Sequence, residues 1–245
     1  MRFWKKMLDF NVSDFKMFEK APYEKPDPRV FTEIIMDGIK EEEKIIGQVF
    51  TTTFIRYALR AVAKLCSVET PKDIKTLDEL AEYVISKSDK YPPYYIVIWA
   101  QFVTEMKLEG HLGAGERVME MGIAKRMMKL GKNLKREVET LVNGDLGRVI
   151  EKCYQTGVEV KIAPLQMGYK INDDGSIDVL HYGCFLFDGC QMSTYSGLTK
   201  RPDGRQVCGF ASFECGYLRE ATGNYWDYTL KVFEKPYCIA KCFMV

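Results

Sequence analysis

The stretch VEVKIAPLQMGYKINDDGSIDVLHYG, residues 158–183, is where a helical sequence turns into a strand-rich one, and its reading decides the fold. VEVKIAP alternates apolar and polar residues and reads as a strand. LQMGYKI and IDVLHYG flank NDDG, whose Asp174 and Gly175 both tolerate positive φ, so the pair reads as a β-hairpin. Immediately upstream, GDLGRVIEKCYQTG reads as a helix ending at Gly157 as a left-handed cap. Downstream, CGFASFECGYLREATG predicts a helix of about four turns closed by Gly223, and YTLKVFE and CIAKCFMV predict two last strands.

Residues before 157 are almost wholly helical in pattern. The first twenty form an arm carrying Phe3, Trp4, Phe10, Phe15 and Phe18, joined to the body by the proline-rich APYEKPDPRV; that many aromatic rings predict docking. From Val30 to Cys66 the apolar set Phe50, Phe54, Tyr57, Ala61 and Leu65 has helical spacing, with breaks expected at Gly38 and Gly47. Thr76 followed by Glu79 has capping-box spacing. YYIVIWAQFVTEMKLEG predicts a buried helix, and the Met-rich GERVMEMGIAKRMMKLGKNLKREVETLV a further helical run. The expected fold is therefore α+β: a helical N-terminal region with its docking arm over 1–115, packed on a small α/β domain with an antiparallel sheet over 116–245.

The chain has 245 residues and a net charge of +1, so no broad electrostatic field draws it to nucleic acid or to an anionic bilayer. The N-terminus lacks the uncharged core of a secretory signal, since Asp9 and Asp14 interrupt it, and no apolar run approaches the roughly 20 residues of a membrane span. A cytoplasmic location is expected, where cysteines are free thiols or metal thiolates rather than disulfides.

Four of the eight cysteines lie in the last 38 residues. Cys208 opens the predicted helix, a position where the dipole favours a thiolate. Cys66 and Cys153 sit among apolar helix neighbours and read as core. Cys184 and Cys190, in GCFLFDGC, are open to a second metal or to reactivity as well as to packing. There are only two histidines: His111 lies in a predicted glycine-rich loop whose Gly113-x-Gly115 lacks the partners of a nucleotide site, and His181 lies on a strand.

The order of elements and the tail resemble the 4-vinyl reductase domain family over residues 116–245. The resemblance is carried by Cys208 opening a helix, Gly216 on it, Gly223 ending it, then Glu234, the run Cys238-Ile239-Ala240-Lys241, and Cys242-Phe243. It implies an apolar or aromatic small-molecule ligand, homodimerisation, and a structural zinc ion held by Cys208, Glu234, Cys238 and Cys242. The pocket-lining elements would supply Trp99, Phe102, Tyr169, His181, Tyr182, Phe185, Phe210 and Tyr217. The chain departs from the pattern in having three residues, not a Gly-Asp loop, between its last two cysteines. A straight strand would hold Cys238 and Cys242 roughly 13 Å apart, so convergence on one ion requires a turn or bulge at Ile239 to Lys241.

The leading expectation is thus a small-molecule-binding or sensory protein with a zinc staple. GCFLFDGC followed by CGFASFEC also looks like the L-2-amino-thiazoline-4-carboxylate hydrolases, which would make Cys184, Cys190 or Cys215 reactive with help from His181 or Asp188. A third reading is a subunit of an assembly, as in trafficking complexes of similar architecture.

Overall fold

A computed structural model describes residues 10–112, 145–195 and 208–245. Among these, seven α-helices accompany one five-stranded antiparallel sheet. The Met-rich run, Gly113 to Gly115, Phe3 and Trp4 lie outside the described residues.

Four helices build the N-terminal half: α1 (Pro28–Ile46), α2 (Gln48–Cys66), α3 (Leu77–Ile85) and α4 (Pro93–Leu112). Asp27 caps α1 by accepting the amides of Arg29 and Val30, and Pro28 supplies a preset φ at the first position. Gly47, at φ +87, breaks α1 from α2; Gly38 stays inside α1. Both arms of the predicted capping box form, Thr76 accepting from the Glu79 amide and Glu79 accepting from the Thr76 amide. Because α4 continues to Leu112, His111 belongs to a helix and not to the predicted loop.

The second half begins with α5 (Leu146–Glu159). Gly157 does not end it. A Cβ there would stand 3.1 Å from the Cβ of Ala163, and its carbonyl accepts the amides of Ile162 and Ala163, so this glycine permits a close approach of the returning chain. VEVKIAP is consequently no strand: the helix runs through Glu159 and the chain reverses at Lys161, at φ +59. β2 (Gln166–Ile171) and β3 (Ile177–Tyr182) form the predicted hairpin, with Gly175 at φ +77. Then come α6 (Phe187–Tyr195), α7 (Gly209–Thr222) with Gly223 as its left-handed cap, β4 (Trp226–Phe233) and β5 (Tyr237–Met244).

The arm supplies the remaining strand. β1 (Lys16–Met17) pairs antiparallel with β2, giving the order β1-β2-β3-β5-β4. Phe18 is buried and stacks on Tyr154 at 5.4 Å, and Phe15 joins Leu180 and Ile239 on the outer face of the sheet. Directly paired residues share a face, so the register assigns the other, inner face: Met167, His181 and Cys238 in one row, Tyr169, Val179 and Ala240 in the next, Ile177, Cys242 and Tyr228 beyond. α7 packs on the β4 and β5 side of the sheet, α5 packs on α7 and β2, and α6 packs on α4. One continuous apolar core runs from Phe31 in α1 to Cys242 in β5, which joins the two halves. Among the described residues, no helix is long and apolar enough to cross a membrane.

Candidate functional site

The inner face of the sheet carries His181, and α7 faces it with a glutamate. α7 buries Phe210, Ala211, Phe213, Tyr217, Leu218 and Ala221, and Glu214 lies within that apolar stripe, one turn after Phe210. His181 is fully buried and Glu214 is 1% exposed. Nε2 of His181 lies 2.5 Å from Oε1 of Glu214. Among the described residues, the other two polar atoms, Nδ1 of His181 and Oε2 of Glu214, have no hydrogen-bond partner. A buried polar atom without a partner costs free energy on the order of 1–3 kcal/mol, so such groups in a folded core call for a reason.

Glu214 lines a narrow crevice between α5, α7 and the start of β2, together with Cys153, Tyr154, Ile162, Met167, Phe210 and Phe213. Its free space, about 10 Å³, matches roughly one water-sized sphere. Phe210 links the crevice to the helical half: its ring lies 5.5 Å from that of His181 and 5.6 Å from that of Phe185, which in turn contacts Phe31 and Tyr94.

The pocket residues expected from the resemblance divide in two. His181, Phe210 and Phe185 come together as described. Tyr182 does not, because strand alternation turns it to the outer face, where its ring lies 5.3 Å from that of Tyr237. Tyr169 shares the inner face one row along from His181, beside Phe18 and against Gly147. Trp99 contacts Tyr57 within the helical half, Phe102 is buried near Gly209, and Tyr217 is buried in the core one turn beyond Glu214.

The expected zinc ligands are not assembled. β5 is unbroken from Tyr237 to Met244, with the sheet's irregularity in β4 between Leu230 and Val232, so Cys238 and Cys242 keep the roughly 13 Å spacing of a straight strand. Glu234 is exposed at the β4–β5 turn and lines a groove on the outer face with Phe10, Asp14 and Lys170. Among the described residues, no three or more His, Cys, Asp or Glu are placed as they stand to hold a metal ion.

The cysteines nevertheless gather in two groups. Cys242 and Cys215 share a hydrogen bond, which lowers the Cys242 thiol; burial and the neighbouring Glu214 outweigh it, and the net shift is upward. Cys153 is pushed well up by burial, then by Glu214 and Cys215. Toward the other end of the layer, Cys190 and Cys238 add to the rise of Cys184 and Cys208 after burial, and Cys208 in turn raises Cys242. Burial raises Cys184, Cys190, Cys208 and Cys238, Cys190 and Cys238 to about 12. For Cys208 this reverses the expectation from its helix-start position: desolvation and the neighbouring thiols outweigh the terminal amides.

Asp188 does not reach His181. It accepts the Tyr95 hydroxyl at 2.9 Å and pairs with Lys235 at 2.6 Å, near the surface. Glu214, absent from the residues expected from sequence, is what His181 meets. Its signal was readable: a lone carboxylate on the apolar stripe Phe210, Ala211, Tyr217, Leu218. No protein-family model, curated protein or solved structure matches the chain.

Proposed function

We propose that this chain is a small-molecule-binding protein whose ligand is a compact, largely apolar molecule carrying one polar group, seated at the His181–Glu214 pair. The observation that carries this reading is Glu214: its side chain lines an otherwise apolar crevice, and its buried Oε2 has no partner among the described residues. Ligand sites combine apolar walls with a few convergent polar groups, and an unpartnered carboxylate oxygen selects a hydroxyl or amine donor. Entry requires the walls to part. Met167 is an adaptable side chain at that wall, and Phe210 can transmit displacement to Phe185 and the helical half, as a sensor needs. The raised thiols favour binding over hydrolysis, because an activated cysteine nucleophile needs its thiolate favoured.

Native mass spectrometry of protein purified from its own host should show a retained small molecule. Calorimetric titration with substituted phenols and aromatic amines should give binding that Glu214→Gln weakens tenfold or more, about 1.4 kcal/mol. If no phenol or amine binds and Glu214→Gln merely raises stability, the pair is a structural element and the reading is lost.

A further inference from the structure

We propose that the groove on the outer face of the sheet binds a neutral polyhydroxylated molecule of the sugar class. The groove lies on the opposite face from His181 and Glu214, so this ligand is distinct from the one read at that pair.

Sheet register places the polar wall. Lys170, Asp178 and Lys241 pair directly across β2, β3 and β5 and alternate with the inner row Tyr169, Val179 and Ala240, so they stand on the outer face. The irregularity in β4 between Leu230 and Val232 leaves Lys231 without a register partner, and its ammonium reaches across β5 to Oδ2 of Asp178 at 2.6 Å. The arm closes the other side: Asp14 pairs with Lys170 at 3.5 Å, and Phe10 and Phe15 line the groove together with Ile239. Its free volume is about 470 Å³, within the roughly 300–1,000 Å³ of small-molecule sites.

The second observation is Asp178 itself. It is 7% exposed, Lys231 takes one of its oxygens, and the other, Oδ1, is buried with no hydrogen-bond partner among the described residues. A carboxylate oxygen only accepts, so the missing partner is a donor, either a hydroxyl or an ammonium. Charge decides between them. An ammonium at Oδ1 would stand beside the Lys231 ammonium that already holds the same carboxylate, and an anion would meet Asp14, Asp178 and Glu234 along the groove. A neutral hydroxyl donates to a carboxylate and accepts from a lysine, so vicinal hydroxyls can use both kinds of group at once. Lys231 is 42% exposed, which gives it room to shift as a hydroxyl reaches Oδ1. The groove also carries half-buried rings. Phe233 gives one face to Phe187, stacked at 4.7 Å, and aromatic faces attract the C–H face of a pyranose.

The test titrates the full chain with glucose, galactose, maltose and cellobiose, read by calorimetry and by amide NMR shifts. At least one of these should bind with a Kd of about 1 mM or tighter. The amino sugar and the uronate of the sugar that binds, which add one charge of either sign to the same ring, should each bind about tenfold more weakly. Asp178→Asn and Phe233→Ala should each weaken binding about tenfold or more. Should either variant misfold, the unmodified protein decides: the shifts induced by sugar should centre on the amides of Lys170, Asp178, Val232 and Ile239. Excess phenol should leave sugar binding unchanged, whether or not phenol itself binds at Glu214, so the two sites stand or fall separately. Absence of binding by all four sugars at about 10 mM overturns the proposal. So do tighter binding of the charged sugars, displacement of the sugar by phenol, and shifts centred away from the groove.

Discussion

Two buried glutamates, one in each half of the molecule, differ in a way that separates packing from function. Glu42 of α1 is fully buried where α1, α2 and α4 meet, and the side-chain amide of Gln101 donates to both of its oxygens at 3.2 Å. Burial holds its carboxyl well above the usual carboxylate range, and the Gln101 amide only partly opposes that. Glu214 of α7 is as deeply buried and lines a crevice, yet one of its oxygens is taken by His181 and the other has no partner among the described residues. The first acid is served by its surroundings and the second is left incomplete. An incomplete acid is the one a ligand can finish.

The largest effect should come from breaking one half of the His181–Glu214 pair. Glu214→Ala leaves a buried imidazole without its partner and should cost on the order of 3–5 kcal/mol in denaturant unfolding. The double replacement His181→Leu with Glu214→Met removes both polar groups and should restore most of that stability while abolishing ligand binding; a double variant that still binds would erase the contrast with Glu42.

An intermediate effect is expected at Gln101. Gln101→Leu takes the amide donor from Glu42 and should destabilise by about 1–3 kcal/mol, with the loss growing as pH rises. The smallest effect is at Glu42 itself. Its folded pKa is raised, so between the unfolded value and the folded one the native state holds a proton that the unfolded chain has given up. Stability therefore falls as pH rises through that window and levels off above the folded pKa. Glu42→Gln should flatten this dependence and raise the thermal midpoint at neutral pH by a few degrees, read by calorimetry at a series of pH values. An unchanged pH profile would mean that burial does not hold a proton on Glu42 in the folded state.

Local chemistry made much of this fold legible in the sequence. The Thr76–Glu79 box, the Asp174–Gly175 hairpin, the Gly223 cap and the two final strands are decided by residues within a few positions of one another, and all stand in the structure. VEVKIAP misled because its alternation competes with tertiary packing: Val158 and Val160 rest against the core at the end of α5, which extends the helix past Gly157. The aromatic arm promised docking, but only the sheet register shows that it adds a strand to β2. At the site, the sequence located the sulfur and named His181. It did not distinguish which cysteines meet, because that depends on whether β5 bends, and Ile239 to Lys241 carry no residue that forces a bend. Glu214 had a legible signal, a lone carboxylate on an apolar helix stripe, but a charged residue on a helix reads as solvated by default, and only the placing of its neighbours shows it buried.

The chain closes its own sheet with residues from near its beginning. Lys16 and Met17 zip along β2 some 150 positions later in sequence, with Lys16 opposite Tyr169 and Met17 opposite Gly168. The Tyr154 hydroxyl also donates to the Glu19 carbonyl at 2.9 Å. Trimming the first twenty residues for expression would therefore strip the seam from a five-stranded sheet, leaving the unsatisfied amides and carbonyls of β2 as a template for strand addition between molecules.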